Sequence, residues 1–196
     1  MEKKGQEPPW VAPRSGQAEE VEKLHLLSEI SLWLDSYDDI FSDFDSRPFS
    51  QRALSDDFLT EAKKASKDKA SGIIELRLLV PEAKRDPHHE AMIKKRLHEH
   101  FRKHHDLLHA EIREILGKGF MFTFLGVIFM FITTIIMFSN QERTLSRSFM
   151  IILFEPAGWF LFWEGLGQIV FESKKKKPEL SFYEKMSKSE ITFLAY

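Results

Sequence analysis

The stretch GFMFTFLGVIFMFITTIIMF, residues 119–138, decides which folds the rest of the chain can adopt. It carries no charged side chain, and its only polar side-chain groups are three threonine hydroxyls. At about 1.5 Å per residue, a helix of this length spans about 30 Å, the thickness of the hydrocarbon core of a bilayer. A core helix of a soluble protein would show a polar face. The stretch therefore predicts a first transmembrane helix.

A second apolar stretch, residues 149–171, contains polar side chains that lipid does not tolerate freely: Glu155, Glu164 and Gln168, with Pro156 beside the first carboxylate. Nine residues separate the two glutamates, which places them about 13 Å apart along a helix and on nearly opposite faces. A charge at this depth costs a few kcal/mol. Three outcomes are open: protonation, pairing with a neighbouring subunit, or lining a wet pathway.

A hairpin of two helices cannot enclose two opposite polar faces, so the sequence favours a homo-oligomer. We expect Glu155, next to the Pro156 kink, at a subunit interface, where it would be structural. Glu164 is the better candidate for an ion or proton path, because Gly165 and Gly167 leave space beside it. The alternative to two spans is one span followed by a re-entrant segment.

The connection between the two stretches, residues 139–148, is short enough to be only an external hairpin loop. Basic residues are more frequent on the other side, where Lys174–Lys177 join Arg113 and Lys118, than in the loop with Arg143 and Arg147. The positive-inside rule then predicts a multi-pass protein of the inner (plasma) membrane with both termini in the cytoplasm.

The remaining sequence alternates between strand and helix patterns. Residues 1–18 have no periodicity and predict a disordered tail. Residues 19–116 predict a cytosolic α/β domain: a strand around Ile30, Leu32 and Leu34, a helix from Asp56, a strand in residues 72–81, and a long helix from Pro87 to Leu116. Residues 172–196 predict an amphipathic helix and a final strand that complete this domain.

The predicted fold class is therefore an α+β membrane protein of the order β-α-β-α-TM-TM-α-β. The two membrane helices, residues 119–138 and 149–171, interrupt a small discontinuous α/β domain. Its first two strands form a right-handed parallel unit with the helix between them. A pair of strands is marginal, so the C-terminal strand is expected to add a third.

A run of histidines marks the long cytosolic helix. His98, His105 and His109 share one stripe, and the last two have the four-residue spacing of a two-histidine metal site. Neither a cysteine nor a suitably spaced glutamate completes that site. A pH-responsive helix and a plain solvated helix are the alternatives. His100 and His104 lean toward the apolar stripe, and we expect them to be packed. No cofactor is expected.

The segment after the first strand is rich in aspartate and phenylalanine. Asp43 and Asp45 are predicted to form a salt-bridge network with Arg47 and Arg52, while Phe41, Phe44 and Phe49 pack inward. Asp and Ser side chains are expected to cap turns there. No nucleophile lies beside a base, so the sequence gives no indication of an enzyme.

The composition limits the remaining function classes. A formal charge of −2 argues against a general nucleic-acid binder, and the absence of cysteine excludes disulfides and thiolate metal sites. The sequence favours a non-enzymatic, oligomeric membrane protein whose cytosolic domain senses or binds a small ligand or ion. The alternative is an oligomeric ion channel lined by the second span.

The motif FSDFDSRPFSQRALSDDF (residues 41–58), the strand IELRLLVP, and the Trp-rich second span followed by lysines and SFYEKM resemble a bacterial family of small two-span membrane proteins. The similarity extends from about Ile30 to the C-terminal region. It implies the two-span architecture with a cytosolic SDxDxRPFxxRxLSDDF-type motif, and it implies no activity.

Overall fold

The computed structural model describes residues 29–67, 69, 74–139 and 144–196. In these residues the chain forms three strands: β1 (Glu29–Trp33), β2 (Glu75–Val80) and β3 (Glu190–Ala195). Its helices there are α1 (Asp56–Lys67), α2 (Pro87–Phe138), α3 (Leu145–Gly167) and α4 (Ser173–Ser187). A π-helical turn, Gln168–Glu172, connects α3 to α4. The tail predicted for residues 1–18 lies outside the described residues, as do residues 19–28.

The chain divides into two compact units. The first unit contains the described residues up to His98 together with Lys188–Tyr196, and it holds the sheet. The second unit, Glu99–Ser187, holds the two long apolar helices. The result is a mixed, helix-dominated fold with a small sheet.

The sheet has the order β1-β2-β3, and both pairs of strands are parallel. The register aligns Ile30 with Leu76, and Leu76 with Ile191. Alternate residues of β2 are buried, as the two-residue period of a strand requires. The predictions that the first two strands pair in parallel and that the C-terminal strand becomes the third are confirmed.

One face of this sheet forms the core of the first unit. Helix α1 contributes Phe58 and Ala62 to the core, and the start of α2 contributes Ile93 and Leu97, all of them buried. The Lys94 ammonium lies 5.8 Å from the ring centre of Phe193 in β3. Further buried side chains of this core are Ile30, Ile40, Phe41, Ile74, Leu76, Leu78, Val80, Ile191 and Phe193.

The helices differ from the prediction at their ends. The predicted cytosolic helix and first span are one helix, because α2 runs through Gly117 and Gly119 to Phe138. Each glycine costs about 1 kcal/mol within a helix, whereas ending the helix there would leave backbone groups unpaired on both sides of the break. Helix α3 starts at Leu145 rather than at 149, and the last residues of the predicted second span form the π-helical turn.

An ion pair between Arg85 and the buried carboxylate of Glu90 fixes the first turn of α2 in the first unit. Arg85 donates two hydrogen bonds to the Glu90 carboxylate, at 2.8 and 3.0 Å. The Tyr37 hydroxyl donates to the same carboxylate at 3.1 Å and accepts from the backbone N–H of Asp86 at 2.8 Å. The hydrogen bond from Arg85 holds the pKa of Glu90 below its ordinary value, and burial raises the pKa of Tyr37.

Replacing Glu90 with Gln should reduce the free energy of unfolding near neutral pH by about 1–3 kcal/mol, since it removes a buried charged partner of Arg85. Because the pKa of Glu90 is lowered in the folded state, the stabilisation is present above the ordinary carboxyl pKa and is lost as the pH falls through the folded value. The difference between wild type and Glu90→Gln should therefore shrink below about pH 4. Urea denaturation in detergent between pH 7 and pH 3 measures it.

Glu61→Gln is the matched control, because Glu61 forms an exposed pair with Lys64 at 2.6 Å. Such pairs contribute about 0–1 kcal/mol. A Glu90→Gln protein as stable as the Glu61→Gln protein at pH 7 would contradict a stabilising role for the Arg85–Glu90 pair.

Candidate functional site

Helices α2 and α3 pack with their backbones in contact at glycines. A methyl group added at Gly126 would lie 2.6 Å from the backbone nitrogen of Phe162 and 2.7 Å from the carbonyl oxygen of Gly158. One added at Gly165 would lie 2.5 Å from the carbonyl oxygen of Gly119. These distances are too short for any side chain, so the four glycines allow an approach that no other residue permits.

The outer surfaces of both helices are apolar and exposed. The most apolar window of each is only 11% buried, which distinguishes them from the core helices of a soluble protein. The three threonines of α2 donate their hydroxyl hydrogens to carbonyl groups one turn earlier, each at 2.9 Å. The polar groups of the uncharged stretch are thus satisfied within the helix itself, as a lipid environment requires.

Arg147 links the two helices at the end where α2 stops. Its guanidinium donates to the carbonyl oxygens of Ile136 and Ser139, the second at 2.6 Å. Ile136 lies in the last turn of α2 and Ser139 directly follows it, where the carbonyl groups have no partner within the helix. A cation at this position also interacts favourably with the helix dipole. Residues 140–143 of the predicted external loop, including Arg143, lie outside the described residues.

Glu155 lies halfway along the uncharged stretch of α2. The ring of its neighbour Phe154 stacks on Phe129 at 5.2 Å, and Phe129 is midway through residues 119–138. The Glu155 side chain is exposed on the outside of the hairpin, as is Pro156. Because Pro156 has no N–H, the carbonyl group of Ile152 loses its helical hydrogen bond at the same level.

Glu164 lies near the end of the uncharged stretch instead. Its neighbour Gly165 packs against Gly119, the first residue of that stretch. Gln168 donates a hydrogen bond to the Glu164 carboxylate at 3.1 Å. The two glutamates therefore differ in level along the hairpin. The reason is that α3 starts at Leu145, which shifts Glu155 toward the middle of the helix.

The three histidines of the predicted metal site do not converge. The His105 and His109 rings are 6.1 Å apart, while His98 is exposed and its Nδ1 lies 3.1 Å from the carbonyl oxygen of Lys94. His105 Nδ1 lies 3.0 Å from Asp106. In the described part of the chain, no group of three or more His, Cys, Asp or Glu side chains is arranged to hold a metal ion. The geometry gives the metal hypothesis no support.

The other two histidines of the second unit pack against an aromatic side chain. The rings of His100 and His104 are 4.2 Å apart, and His104 stacks on Tyr183 of α4 at 5.2 Å. Both side chains are half-buried. This stack adds contact between α2 and α4 outside the apolar part of the hairpin.

The aspartate-rich loop contains two ion pairs. Arg47 binds Asp45 through two guanidinium nitrogens at 2.7 and 2.8 Å, and Asp45 also accepts from the backbone N–H of Ala53 at 2.7 Å. The hydrogen bond from Arg47 holds the pKa of Asp45 well below its ordinary range. Arg52 pairs with Asp38 at 2.5 Å. The predicted member Asp43 is exposed.

These loop contacts shape a shallow hollow of about 310 Å³ in the first unit. Its lining comprises Arg47, Pro48, Phe49, Arg52, His89 and Met92. Phe49 stacks on the buried Phe41 at 5.2 Å and forms an apolar wall. Phe44 is fully exposed, so the prediction that it packs inward is wrong. Since Asp45 and Asp38 neutralise both guanidinium groups, the arrangement provides donors and an aromatic surface without net charge.

The sequence alone did not identify Gly119 and Gly126 as the α2 partners of the α3 glycines, nor Asp38 as the partner of Arg52. Gly119 and Gly126 are seven residues apart, as are Gly158 and Gly165, and this spacing repeats on one side of a helix. The repeat was visible in the sequence as a packing signal. Asp38 as the partner of Arg52 was not visible, because the pairing depends on how the intervening loop turns back.

Alanine at Gly165 should weaken the packing of α2 against α3, because the added methyl meets backbone atoms that cannot move without separating the helices. Gly167→Ala is the matched control, since nothing lies within 4 Å of the position its methyl would take. Cysteine pairs placed across the hairpin should cross-link more slowly in Gly165→Ala than in Gly167→Ala. Equal cross-linking rates in the two variants would refute the close backbone contact.

The chain matches no protein-family model, and no curated protein and no solved structure is similar to it. The resemblance to two-span bacterial proteins stays a prediction.

Proposed function

We propose that the chain is an integral membrane protein in which α2 and α3 cross the bilayer as a hairpin. The observation that carries the proposal is the exposed apolar surface of both helices, which water would not tolerate as a continuous patch. The uncharged stretch of α2 matches the thickness of the hydrocarbon core. The protein is helix-dominated, and we expect its sheet to lie in the aqueous phase.

The orientation follows from the distribution of basic residues. Lys118 precedes the uncharged stretch, and Lys174–Lys177 follow the π-helical turn at the same end of the hairpin. The positive-inside rule predicts that this end lies on the cytoplasmic side of the inner membrane. The first unit then acts as a cytosolic binding or sensing domain, and the hollow beside Phe49 supports that role.

Single cysteines should report this topology cleanly, because the chain has none of its own. Leu145, which is 91% exposed at the start of α3, is one position, and the exposed Asp43 of the first unit is the other. In intact cells, a membrane-impermeant maleimide should label Leu145→Cys and should reach Asp43→Cys only after permeabilisation. The protein should also stay in the membrane fraction at alkaline pH. The opposite labelling pattern would contradict the orientation.

We propose further that copies of the chain assemble through the face of α3 that carries Glu155. That carboxylate is exposed halfway along the apolar stretch, where an unpaired charge costs about 2.5–3.5 kcal/mol. The hairpin partner cannot satisfy it, because α2 packs against the glycine face. An ion path is a second candidate: in contrast to the expectation for Glu164, several copies would place a ring of Glu155 carboxylates at mid-depth.

Glu155→Leu should shift the detergent-solubilised protein toward monomer, whereas Glu155→Gln should leave it assembled, because an amide keeps the hydrogen bonds. Glu164→Leu is the control, since its carboxylate lies near the end of the apolar stretch. Sedimentation equilibrium measures the stoichiometry, and cation flux into reconstituted vesicles tests the ion path. A monomeric wild type would overturn the assembly, and a stable oligomer without flux would remove the ion path alone.

A further inference from the structure

The end of the hairpin that carries the lysines has a defined boundary between apolar and charged residues. On α2 the last charged residue is Lys118, and its neighbour Gly119 packs against Ile169 of the π-helical turn. In α3 and the π-helical turn that follows it, the last exposed apolar residue is Phe171, which is 66% exposed. Both helices therefore change from apolar to charged at the same level.

Lys174 and Lys177 follow Phe171 at three-residue steps, so they lie along the same side of the helix. At about 1.5 Å per residue they lie about 4.5 and 9 Å beyond the boundary. The headgroup layer on each side of a bilayer is roughly 5–7 Å thick. The ammonium group of Lys174 and, through its flexible stem, that of Lys177 can therefore reach lipid phosphates.

Their neighbours are already paired with carboxylates. Lys175 binds Glu172 at 2.5 Å, Lys176 binds Glu111 at 2.9 Å, and Lys118 binds Glu114 at 2.6 Å. In the part of the chain that the structure describes, Lys174 and Lys177 form no such pair, and both are exposed. The pair between Lys176 and Glu111 also joins α4 to α2.

The π-helical turn decides which lysines are free. A π-helical turn contains about one residue more than an α-helical turn. If α3 continued as an ordinary α-helix, the side chains after residue 172 would therefore face α2 with a shift of about one position. With the wider turn, Ser173 is buried and donates to the carbonyl oxygen of Ile169 at 2.5 Å. Lys176 then meets Glu111, and Lys174 and Lys177 stay on the outside.

We propose that Lys174 and Lys177 bind the phosphate groups of anionic phospholipids in the leaflet at this end of the hairpin. The proposal rests on the membrane insertion argued above. Juxtamembrane basic residues attract anionic lipid in proportion to their number. Phe171 marks the hydrocarbon boundary, and the two lysines supply unpaired positive charge directly beyond it. Zwitterionic lipids, which carry the same phosphate with a compensating cation, bind less tightly.

Native mass spectrometry of the full chain in detergent tests the proposal, with phosphatidylglycerol and phosphatidylcholine of identical acyl chains as probes. The wild type should retain the anionic lipid preferentially. Lys174→Gln/Lys177→Gln should lose about fivefold in relative affinity per lysine, roughly 25-fold in total. Lys174→Arg/Lys177→Arg should keep the preference. Lys63→Gln/Lys64→Gln removes the same charge from α1 and should change the preference less than twofold.

Three outcomes would overturn the proposal: no preference in the wild type, an equal loss in the α1 variant, or full competition by millimolar glycerol phosphate. The last result would show a site for soluble phosphate rather than for lipid. Membrane fractionation of the same variants separates this failure from a failure of the proposed function. A protein that stays in the membrane without a lipid preference contradicts only the lipid site.

Discussion

Contact between the backbones of α2 and α3 determines the position of the other groups in the second unit. With Gly126 against Gly158 and Gly119 against Gly165, the helices cannot slide or rotate without driving a side chain into a backbone. The same contact therefore has two consequences for α3. It fixes the level of each α3 residue relative to the uncharged stretch, and it turns Glu155 and Glu164 away from the hairpin partner. In lipid, where apolar surface does not drive association, such close packing is the main attraction between helices.

Local periodicity predicted the elements well and their junctions poorly. The alternation around Ile30 and in ELRLLV gave the strands, because one face of each is buried and the other is not. The continuity of α2 through Gly117 and Gly119 did not follow from propensity, since the weak preference of two glycines is outweighed by the cost of ending a helix. The π-helical turn has no sequence signal of its own. It occurs together with the fit of α4 against α2, through Lys176 and the stack on Tyr183.

The candidate site residues likewise divide into contacts that the local sequence predicts and contacts that depend on the fold. The pairing of Asp45 with Arg47 was accessible from the sequence because the two side chains are neighbours across a single serine. The partner of Arg52, by contrast, depends on the fold of the whole loop. The 3-10 turn at Tyr37–Ile40, capped by Ser36 and Asp39, positions Asp38 next to Arg52. The sheet has a similar long-range dependence, because β2 pairs on one side with β3 from the far end of the chain. The sheet is therefore complete only after both long helices have been synthesised.

The energetics of Glu155 limit how copies of the hairpin can meet. One interhelical hydrogen bond contributes about 0.6–2 kcal/mol, which is less than the cost of an ionised carboxylate at mid-depth on the same kind of scale. Under the proposed assembly, one hydrogen bond across the interface would therefore not offset the cost of this carboxylate, and each copy would have to contribute more than one polar group. Pro156 leaves the carbonyl group of Ile152 without its helical partner at the same level, and that carbonyl is an acceptor. Under the proposed assembly, each copy would therefore need donors for two acceptors, the Glu155 carboxylate and the carbonyl group of Ile152. A two-fold arrangement of two hairpins would repeat the same contacts on both copies, as in a closed symmetric dimer, and the exposed indole N–H of Trp159 is a donor that the same helix offers.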